Sequence, residues 1–145
     1  MTKTKIVYVD DRESRSTYKK NFEKLKIKYE QKRLPIGDFV YGDICIERKD
    51  FEDFASSVMS EHMEKQLQNM TKEFKHCFLM ISGIKKKLHT KMHPHAILGA
   101  LGKYAVRYKI TVLMFDNDKD LYYCMSRIFD EIDNIKKEKK KWIKK

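Results

Sequence analysis

The sequence predicts an α/β protein with a mixed central β-sheet flanked by helices on both faces. Short runs of β-branched and aromatic residues alternate along the chain with segments whose apolar residues recur at helical spacing. The length of 145 residues suffices for one domain and leaves little room for a second. Strands that alternate with helices in one domain are typical of a sheet covered on both faces.

The predicted elements run strand, helix, three strands, helix, strand, helix, strand, helix. The first half contains a buried strand at 5–9, a helix at 14–25, a half-exposed strand at 28–34 and a β-hairpin of 38–41 and 44–48 around Gly42-Asp43. The second half contains a helix at 60–74, a buried strand at 77–81, a basic loop at 84–92, a helix starting at Pro94, a buried strand at 110–115 and a last helix from about residue 119.

Two of these helices carry patterns that fit more than one arrangement. The last helix has a heptad-like stripe, which fits either a core face or a homodimer seam, at Leu121, Met125, Ile128, Ile132 and Ile135. Gly99 and Gly102 interrupt the stripe of the preceding helix, where each glycine costs about 1 kcal/mol relative to alanine. They indicate close helix packing, either internal or across a dimer.

Charge is distributed unevenly along the chain. The net charge is +11, and residues 136–145 supply +6 of it with seven Lys and one Glu. We therefore divide the chain into a folded domain at 1–135 and a lysine-rich C-terminal tail at 136–145. The tail fits a solvated helix end or a phosphate-binding segment equally well. The remaining +5 on the domain favours an anionic partner, and nucleic acid is the commonest one.

Several classes of protein are excluded by composition. No apolar run approaches the roughly 20 residues of a membrane helix, and the N-terminus is too short and too charged for a signal peptide. Cys45, Cys77 and Cys124 form no CxxC pair, which predicts reduced, buried thiols. We expect a soluble intracellular protein without a membrane partner, in the cytoplasm of a prokaryotic or virus-infected cell rather than in a nucleus.

Acidic side chains converge at one end of the predicted hairpin. With the turn at Gly42-Asp43, Asp38 and Glu47 fall opposite one another, and Lys49 points to the same face as Glu47. Two carboxylates and a lysine this close are costly unless a cation or substrate neutralises them. Mg²⁺ or Mn²⁺ prefers such oxygen ligands and activates water for phosphodiester hydrolysis, while Lys49 stabilises developing charge. A surface ion-pair ladder is the alternative.

A longer motif surrounds this hairpin. Val9-Asp-Asp-Arg-Glu13 ends the first strand, Gly37-Asp38 opens the hairpin, and Glu47-Arg-Lys49 is followed by Asp53. In order and complete, these segments resemble the XPF family of structure-specific endonucleases, whose pattern is VDxRE, then GD, a spacer and ERKxxxD. The resemblance extends to about Ile135. It implies a restriction-endonuclease-like nuclease domain at 1–135.

The resemblance also implies an activity. It implies a Mg²⁺- or Mn²⁺-dependent endonuclease that cuts branched DNA (flaps, forks or junctions) in repair, recombination or replication, as a homodimer formed through the last helices and strand. Four acidic residues are implied as catalytic and metal-binding, namely Asp10, Glu13, Asp38 and Glu47. Lys49 is implied as the catalytic lysine, and the supporting residues are Arg12, Arg48 and Asp53.

The chain departs from the family in two respects. Family members usually carry Arg-Leu where this chain has His62-Met63, four residues before Gln66, which implies that a DNA contact is weakened or moved. The 145 residues contain neither a tandem helix-hairpin-helix segment nor a helicase. Substrate selection is therefore expected from the nuclease body, the tail or a separate DNA-targeting partner protein.

The basic loop is the other candidate for DNA contact. Its lysines are expected near phosphates, at Lys85, Lys86, Lys87 and Lys91. His89, His93 and His95 lie in or beside the same loop, but zinc binding would need a fourth ligand that the sequence does not supply. Two alternative functions stay open: a related nuclease acting on ordinary duplex DNA, and a non-catalytic DNA-binding subunit of a nuclease complex.

Overall fold

The computed structural model describes residues 6–13, 17–58, 60–85 and 93–143. The strands are β1 (Val7–Asp10), β2 (Tyr29–Lys32), β3 (Phe39–Tyr41), β4 (Ile44–Asp50), β5 (His76–Ser82) and β6 (Thr111–Phe115). The helices are α1 (Thr17–Lys24), α2 (Phe51–Ser57), α3 (Glu61–Glu73), α4 (Pro94–Arg107) and α5 (Asp118–Ile143). Within these ranges, none of the helices has both the length and the apolar character needed to cross a membrane.

One mixed sheet of six strands organises the fold, in the order β2-β1-β3-β4-β5-β6. β3 pairs antiparallel with both β1 and β4, whereas the β1–β2, β4–β5 and β5–β6 pairs are parallel. The three parallel pairs are joined by helical crossovers, as parallel connections require. The predicted α/β fold with a mixed, doubly covered sheet is confirmed.

Each face of the sheet has its own hydrophobic core. On one face α1 and α5 pack on the sheet through aromatic side chains, among them Tyr18, Phe22 and Tyr122. On the other face α2, α3 and α4 pack on it through a mixture of aliphatic and aromatic side chains, among them Met63, Leu67 and Phe54. Successive residues of β4 alternate between these cores, because strand side chains point to opposite faces in turn. Ile44 and Ile46 join the first core, and Cys45 joins the second.

Helix ends follow the capping signals in the sequence. The Ser60 hydroxyl accepts a hydrogen bond from the Met63 backbone N–H at 3.1 Å and so caps α3. Pro94 occupies the first turn of α4, as predicted, because its missing N–H has no helical partner there. Between β4 and α3 the chain forms an additional short helix, α2, which the apolar periodicity did not predict.

One sequence prediction is wrong, and one of two alternatives for another pattern is not supported. Residues 110–115 were expected as a buried strand, but β6 is an edge strand that pairs with β5 alone, and both Thr111 and Met114 are exposed. Gly99 and Gly102 do not serve internal packing, because a Cβ at either position would meet no atom within 4 Å among the described residues. The dimer alternative for these two glycines stays a prediction.

The last helix continues well past the core. Leu121 and Met125 are buried, Ile128 and Ile132 are half-buried, and Ile135 is exposed, so the first part of the stripe is a core face. α5 then continues as helix to Ile143, through much of the lysine-rich segment. Cys45 and Cys77 are buried free thiols, as predicted, and Cys124 is half-buried.

Candidate active site

The hairpin of β3 and β4 places Asp38 opposite Glu47, as its spacing predicts. Phe39 pairs with Ile46, so the next residues outward are 38 and 47. The Asp38 backbone N–H donates to the Ile46 carbonyl at 2.9 Å, and the Arg48 backbone N–H donates to Asp38 Oδ2 at 2.9 Å. Two backbone contacts thus fix the direction of one carboxylate before any ligand binds.

Glycine precedes Asp38 for two steric reasons. Gly37 has a φ of +79°, a left-handed conformation that side chains with a Cβ disfavour. A Cβ at this position would also overlap the sulfur of Cys45, which lies directly beneath. The Gly37-Asp38 pair therefore positions the carboxylate closely above a packed core.

Both carboxylates face a polar cavity of about 340 Å³. Its lining residues are Asp10, Arg12, Pro35, Ile36, Gly37, Asp38, Glu47, His62, Gln66 and Asn69. The cavity lies between the β3–β4 hairpin and the first three turns of α3. It lies on the face of the sheet that α2, α3 and α4 cover.

Like charges in this cavity repel one another. Burial, followed by the charge of Asp38, raises the pKa of Glu47 to about 8. Burial also raises the pKa of Asp38, and the charges of Glu13 and Asp10 act in the same direction. Lys49 lowers both pKa values without reversing the shift. Neighbouring carboxyl groups whose pKa values are raised in this way are a marker of functional sites.

Asp10 borders the same cavity but is held by neighbours. Arg12 Nε donates to Asp10 Oδ2 at 2.9 Å, and the Leu34 backbone N–H donates to Asp10 Oδ1 at 3.1 Å. The Asp10 backbone N–H in turn donates to the Asp38 carbonyl at 2.9 Å. β1 and the β3–β4 hairpin are therefore joined at the cavity, and Arg12 lines it beside Asp10.

The remaining predicted site residues differ in position. Lys49 lies on the same face of β4 as Glu47, whereas Asp53 lies on α2 with its side chain exposed. Arg48 points to the opposite face, where its Nη2 binds Ser82 and Asp50 at 3.1 Å each and also binds Asp118 at the start of α5. Only 2% of the Arg48 side chain is exposed.

The donor set fits a small divalent cation with few protein ligands. Among the described residues no group of three or more His, Cys, Asp or Glu side chains is arranged to hold a metal ion. Glu47, which is buried, and Asp38, which is half-buried, nevertheless form a pair of hard oxygen donors whose mutual repulsion a cation would relieve. Mg²⁺ commonly binds one or two carboxylates and keeps several waters. Metal ligation by Asp10 and Glu13 stays a prediction.

A comparison with protein families matches the ERCC4 domain over residues 9–138. The chain belongs to the ERCC4 domain family. Two structures of XPF from Aeropyrum pernix share its fold. One is 23% identical with a TM-score of 0.80, and the match covers 90% of this chain and 68% of that chain. The other, a complex with DNA, is 22% identical with a TM-score of 0.76, over 92% and 66% respectively.

A third relative is a "Putative ATP-dependent RNA helicase" of Methanocaldococcus jannaschii. It is 30% identical over 105 residues, which is 70% of this chain and 13% of that protein. This ERCC4 domain therefore spans about 13% of the length of the curated relative it matches. The resemblance to the XPF family is confirmed, together with the XPF nuclease fold.

The far wall of the cavity in this ERCC4 domain was only partly foreseen. His62, Gln66 and Asn69 of α3 all line it, opposite the acidic pair. Positions i, i+4 and i+7 share one helix face, and here that face is polar, whereas Met63, Leu67 and Met70 of α3 pack on the core. His62, which stands where the XPF family usually carries arginine, therefore lines the cavity. Asn69 belongs to no motif, so the sequence did not predict its position there.

The predicted DNA-binding loop is described only at its start. Lys85 is exposed, and its Nζ lies 3.1 Å from Asp116 Oδ2. Lys86, Lys87, Lys91 and His89 lie outside the described residues. The rings of His93 and His95 contact each other at 4.8 Å between centroids, and His93 Nδ1 accepts the His95 backbone N–H that begins α4.

Proposed function

We propose that this protein is a divalent-metal-dependent endonuclease that hydrolyses phosphodiester bonds in branched DNA, namely flaps, forks or junctions. The proposal rests on one observation above all. Half-buried Asp38 and buried Glu47 meet as a mutually repelling carboxyl pair in a polar cavity, with Lys49 on the same face of β4 as Glu47. Repulsion between the two carboxyl groups destabilises the folded protein unless a cation neutralises them, and a bound cation can in turn contact a phosphate. Repair, recombination or replication would use this activity inside the cell.

Asp38 and Glu47 would hold Mg²⁺ or Mn²⁺. When bound, the metal lowers the pKa of a water and neutralises charge on the phosphate. The protein itself positions the pair, since the Arg48 backbone N–H holds Asp38 and Gly37 allows the close turn. Lys49 supplies a positive charge beside the carboxylates, where it stabilises negative charge that develops on the phosphate.

The neighbouring residues bind and orient. Arg12 is half exposed and already paired with Asp10, so it presents its remaining N–H groups at the cavity rim. His62, Gln66 and Asn69 offer hydrogen bonds from the opposite wall. One XPF structure that shares the fold is a complex with DNA, which supports DNA as the substrate.

Homodimerisation would use the β6 end of the molecule. Large apolar side chains are exposed on three neighbouring elements there, at Leu98 and Val106 of α4, Met114 of β6 and Tyr123 of α5. Exposed apolar side chains that border an open sheet edge are typical of an interface. Sedimentation equilibrium should give twice the 17.5 kDa chain mass, and Val106→Glu should give the chain mass. A monomeric wild-type protein would contradict the dimer.

A cleavage panel tests the proposed function. Labelled forks, flaps and linear duplexes are incubated with Mg²⁺ or Mn²⁺ and the wild-type protein, Asp38→Ala, Lys49→Ala or the control Asp43→Ala. Asp43 lies at the exposed turn of the same hairpin, away from the cavity. We expect forks and flaps to be cut by the wild type and the control, and not by the two site variants, which keep DNA binding.

Each other outcome rejects part of the proposal. Equal cleavage of all duplexes would favour a nuclease without branch preference. Binding without cleavage in either metal would favour a non-catalytic subunit. Full activity of Asp38→Ala would remove the carboxyl pair from the mechanism.

A further inference from the structure

A second surface, separate from the predicted basic loop and tail, concentrates the positive charge of the folded domain. Residues 19–33 contain seven Lys or Arg and two Asp or Glu, a net charge of +5. The whole domain at 1–135 also carries +5, so the rest of it is electrically balanced. All seven basic side chains are exposed. Three of them lie on α1, and the other four lie on β2 or in the segments that flank it.

Among the described residues, no helix packs on one face of β1 and β2. The core beneath α2, α3 and α4 contains no residue of β1 or β2 among those described. Val7 and Val9 point into the opposite core, and Tyr29 contacts Phe22 there. By alternation Tyr8, Lys28, Glu30 and Lys32 therefore share the uncovered face. We call these four residues the β1–β2 shelf.

The shelf leads into the catalytic cavity. Lys32 is in register with Asp10, which lines that cavity, and Lys28 lies beside Val7 at the other end of the pair. Four strand residues span about 13 Å, which is the rise of about four base pairs of duplex DNA. A phosphate backbone lying along the shelf would therefore reach the Asp38 and Glu47 pair directly.

The chemistry of the shelf favours the backbone of a duplex over single-stranded bases. Proteins that bind single strands offer open aromatic rings on which bases stack. The aromatic ring of the shelf, Tyr8, is already covered, since Lys32 Nζ lies 4.2 Å from its centroid. That contact also holds the Lys32 ammonium at the surface. Two lysines remain as phosphate contacts, with Glu30 between them.

We propose that the β1–β2 shelf, through Lys28 and Lys32, binds the sugar-phosphate backbone of the duplex arm that enters the catalytic cavity. The proposal takes the identity of the substrate from the proposed function. It adds a binding surface on the side of the site away from the β6 edge. The lysines on the outer face of α1, Lys19 and Lys20, lie on the other side of the sheet and take no part.

Equilibrium binding in EDTA tests the shelf without cleavage. Fluorescence anisotropy follows a labelled fork against salt for the wild type, Lys28→Ala/Lys32→Ala, the charge-matched control Lys19→Ala/Lys20→Ala and the charge-conserving Lys28→Arg/Lys32→Arg. Loss of two phosphate contacts should weaken binding at least about tenfold at 0.1 M salt and reduce the slope of log K against log salt by about 2. The control and the arginine variant should match the wild type.

The outcomes separate this proposal from the proposed function. An unchanged slope for the shelf variant, an equal loss in the control, or no DNA binding by the wild type would each overturn the shelf. A wild type that binds through the shelf but cuts nothing in Mg²⁺ or Mn²⁺ would overturn the nuclease and leave the shelf supported.

Discussion

Two faces of one strand, β4, treat charge in opposite ways. On the cavity face Glu47 meets Asp38, a like charge, and the pKa of Glu47 rises. On the other face Arg48 meets Asp118, an opposite charge, and hydrogen bonding to Arg48 lowers the pKa of Asp118 despite its partial burial. The residues are adjacent, so the difference arises from the partners that the fold supplies. We call the Arg48 face compensated and the cavity face uncompensated, because Lys49 only partly offsets the charge of Asp38 and Glu47 there.

The largest expected effect comes from breaking the compensated face. Arg48→Ala removes a buried guanidinium and leaves Asp118 and Asp50 without their cation. We expect a loss of about 3 kcal/mol in the free energy of unfolding, measured by urea denaturation. Arg127→Ala is the matched control, because Arg127 pairs with Asp130 at the exposed surface. Its effect should stay within about 0.5 kcal/mol, and equal losses in both variants would contradict the comparison.

A smaller loss of stability is expected from changing Gly37, whose turn positions the Asp38 carboxylate on the uncompensated face. Gly37→Ala places a Cβ against the Cys45 sulfur at a positive φ, so either the turn or the core must move. We expect a loss of about 1 to 3 kcal/mol in stability, together with weaker Mn²⁺ binding by calorimetry. Gly99→Ala, at an open helical position, should be neutral or slightly stabilising. Unchanged Mn²⁺ affinity in Gly37→Ala would show that the Gly37 turn does not position the metal-binding carboxylate.

The smallest effect is a pH dependence whose sign distinguishes the two faces. The pKa values of Asp38 and Glu47 are raised in the folded protein, so folding binds protons and the metal-free protein loses stability as pH rises from about 4 to about 8. The lowered pKa of Asp118 acts in the opposite sense and loses its contribution as pH falls below the ordinary carboxyl range.

Glu47→Gln should reduce the loss of stability that the metal-free protein shows as pH rises. Its melting temperature at pH 8 without metal should exceed that of the wild type by about 3 °C, since the repulsion with Asp38 is gone. The control Glu30→Gln, at an exposed position, should leave the profile unchanged. Added Mn²⁺ should stabilise the wild type at pH 8 and not Glu47→Gln. A wild-type profile that rises from pH 5 to pH 8 without metal would contradict the raised pKa values.

Local spacing was enough to predict the cavity face. A two-residue turn at Gly42-Asp43 dictates that Asp38 faces Glu47, and alternation then directs Lys49 to the same side. The partner of Arg48 could not be predicted in this way, because Asp118 is 70 residues distant and reaches it only after α5 packs on the sheet. Contacts of that kind depend on how the layers stack rather than on any pattern within one element.

Exposure of strands was harder to predict for the same reason. Residues 110–115 are as apolar as the central strand β5, and only the strand order shows that β6 has a single neighbour. The sequence likewise does not show that one face of β2 is uncovered. Among the described residues, α2, α3 and α4 pack over the other half of the sheet. The sequence shows the positive charge of residues 19–33, but it does not show that β2 pairs with β1 in the register that places Lys32 beside Asp10.

The anchoring of α5 has a mechanical consequence. Its first residue, Asp118, is bound by the strand that bears Glu47, and the helix then runs without interruption for 26 residues. At about 1.5 Å per residue, Lys140 lies about 33 Å along α5 from Asp118, which contacts Arg48 of β4. The distance between a ligand bound at the last turns of α5 and the Asp38–Glu47 cavity would therefore be set by a continuous helix rather than by a flexible linker.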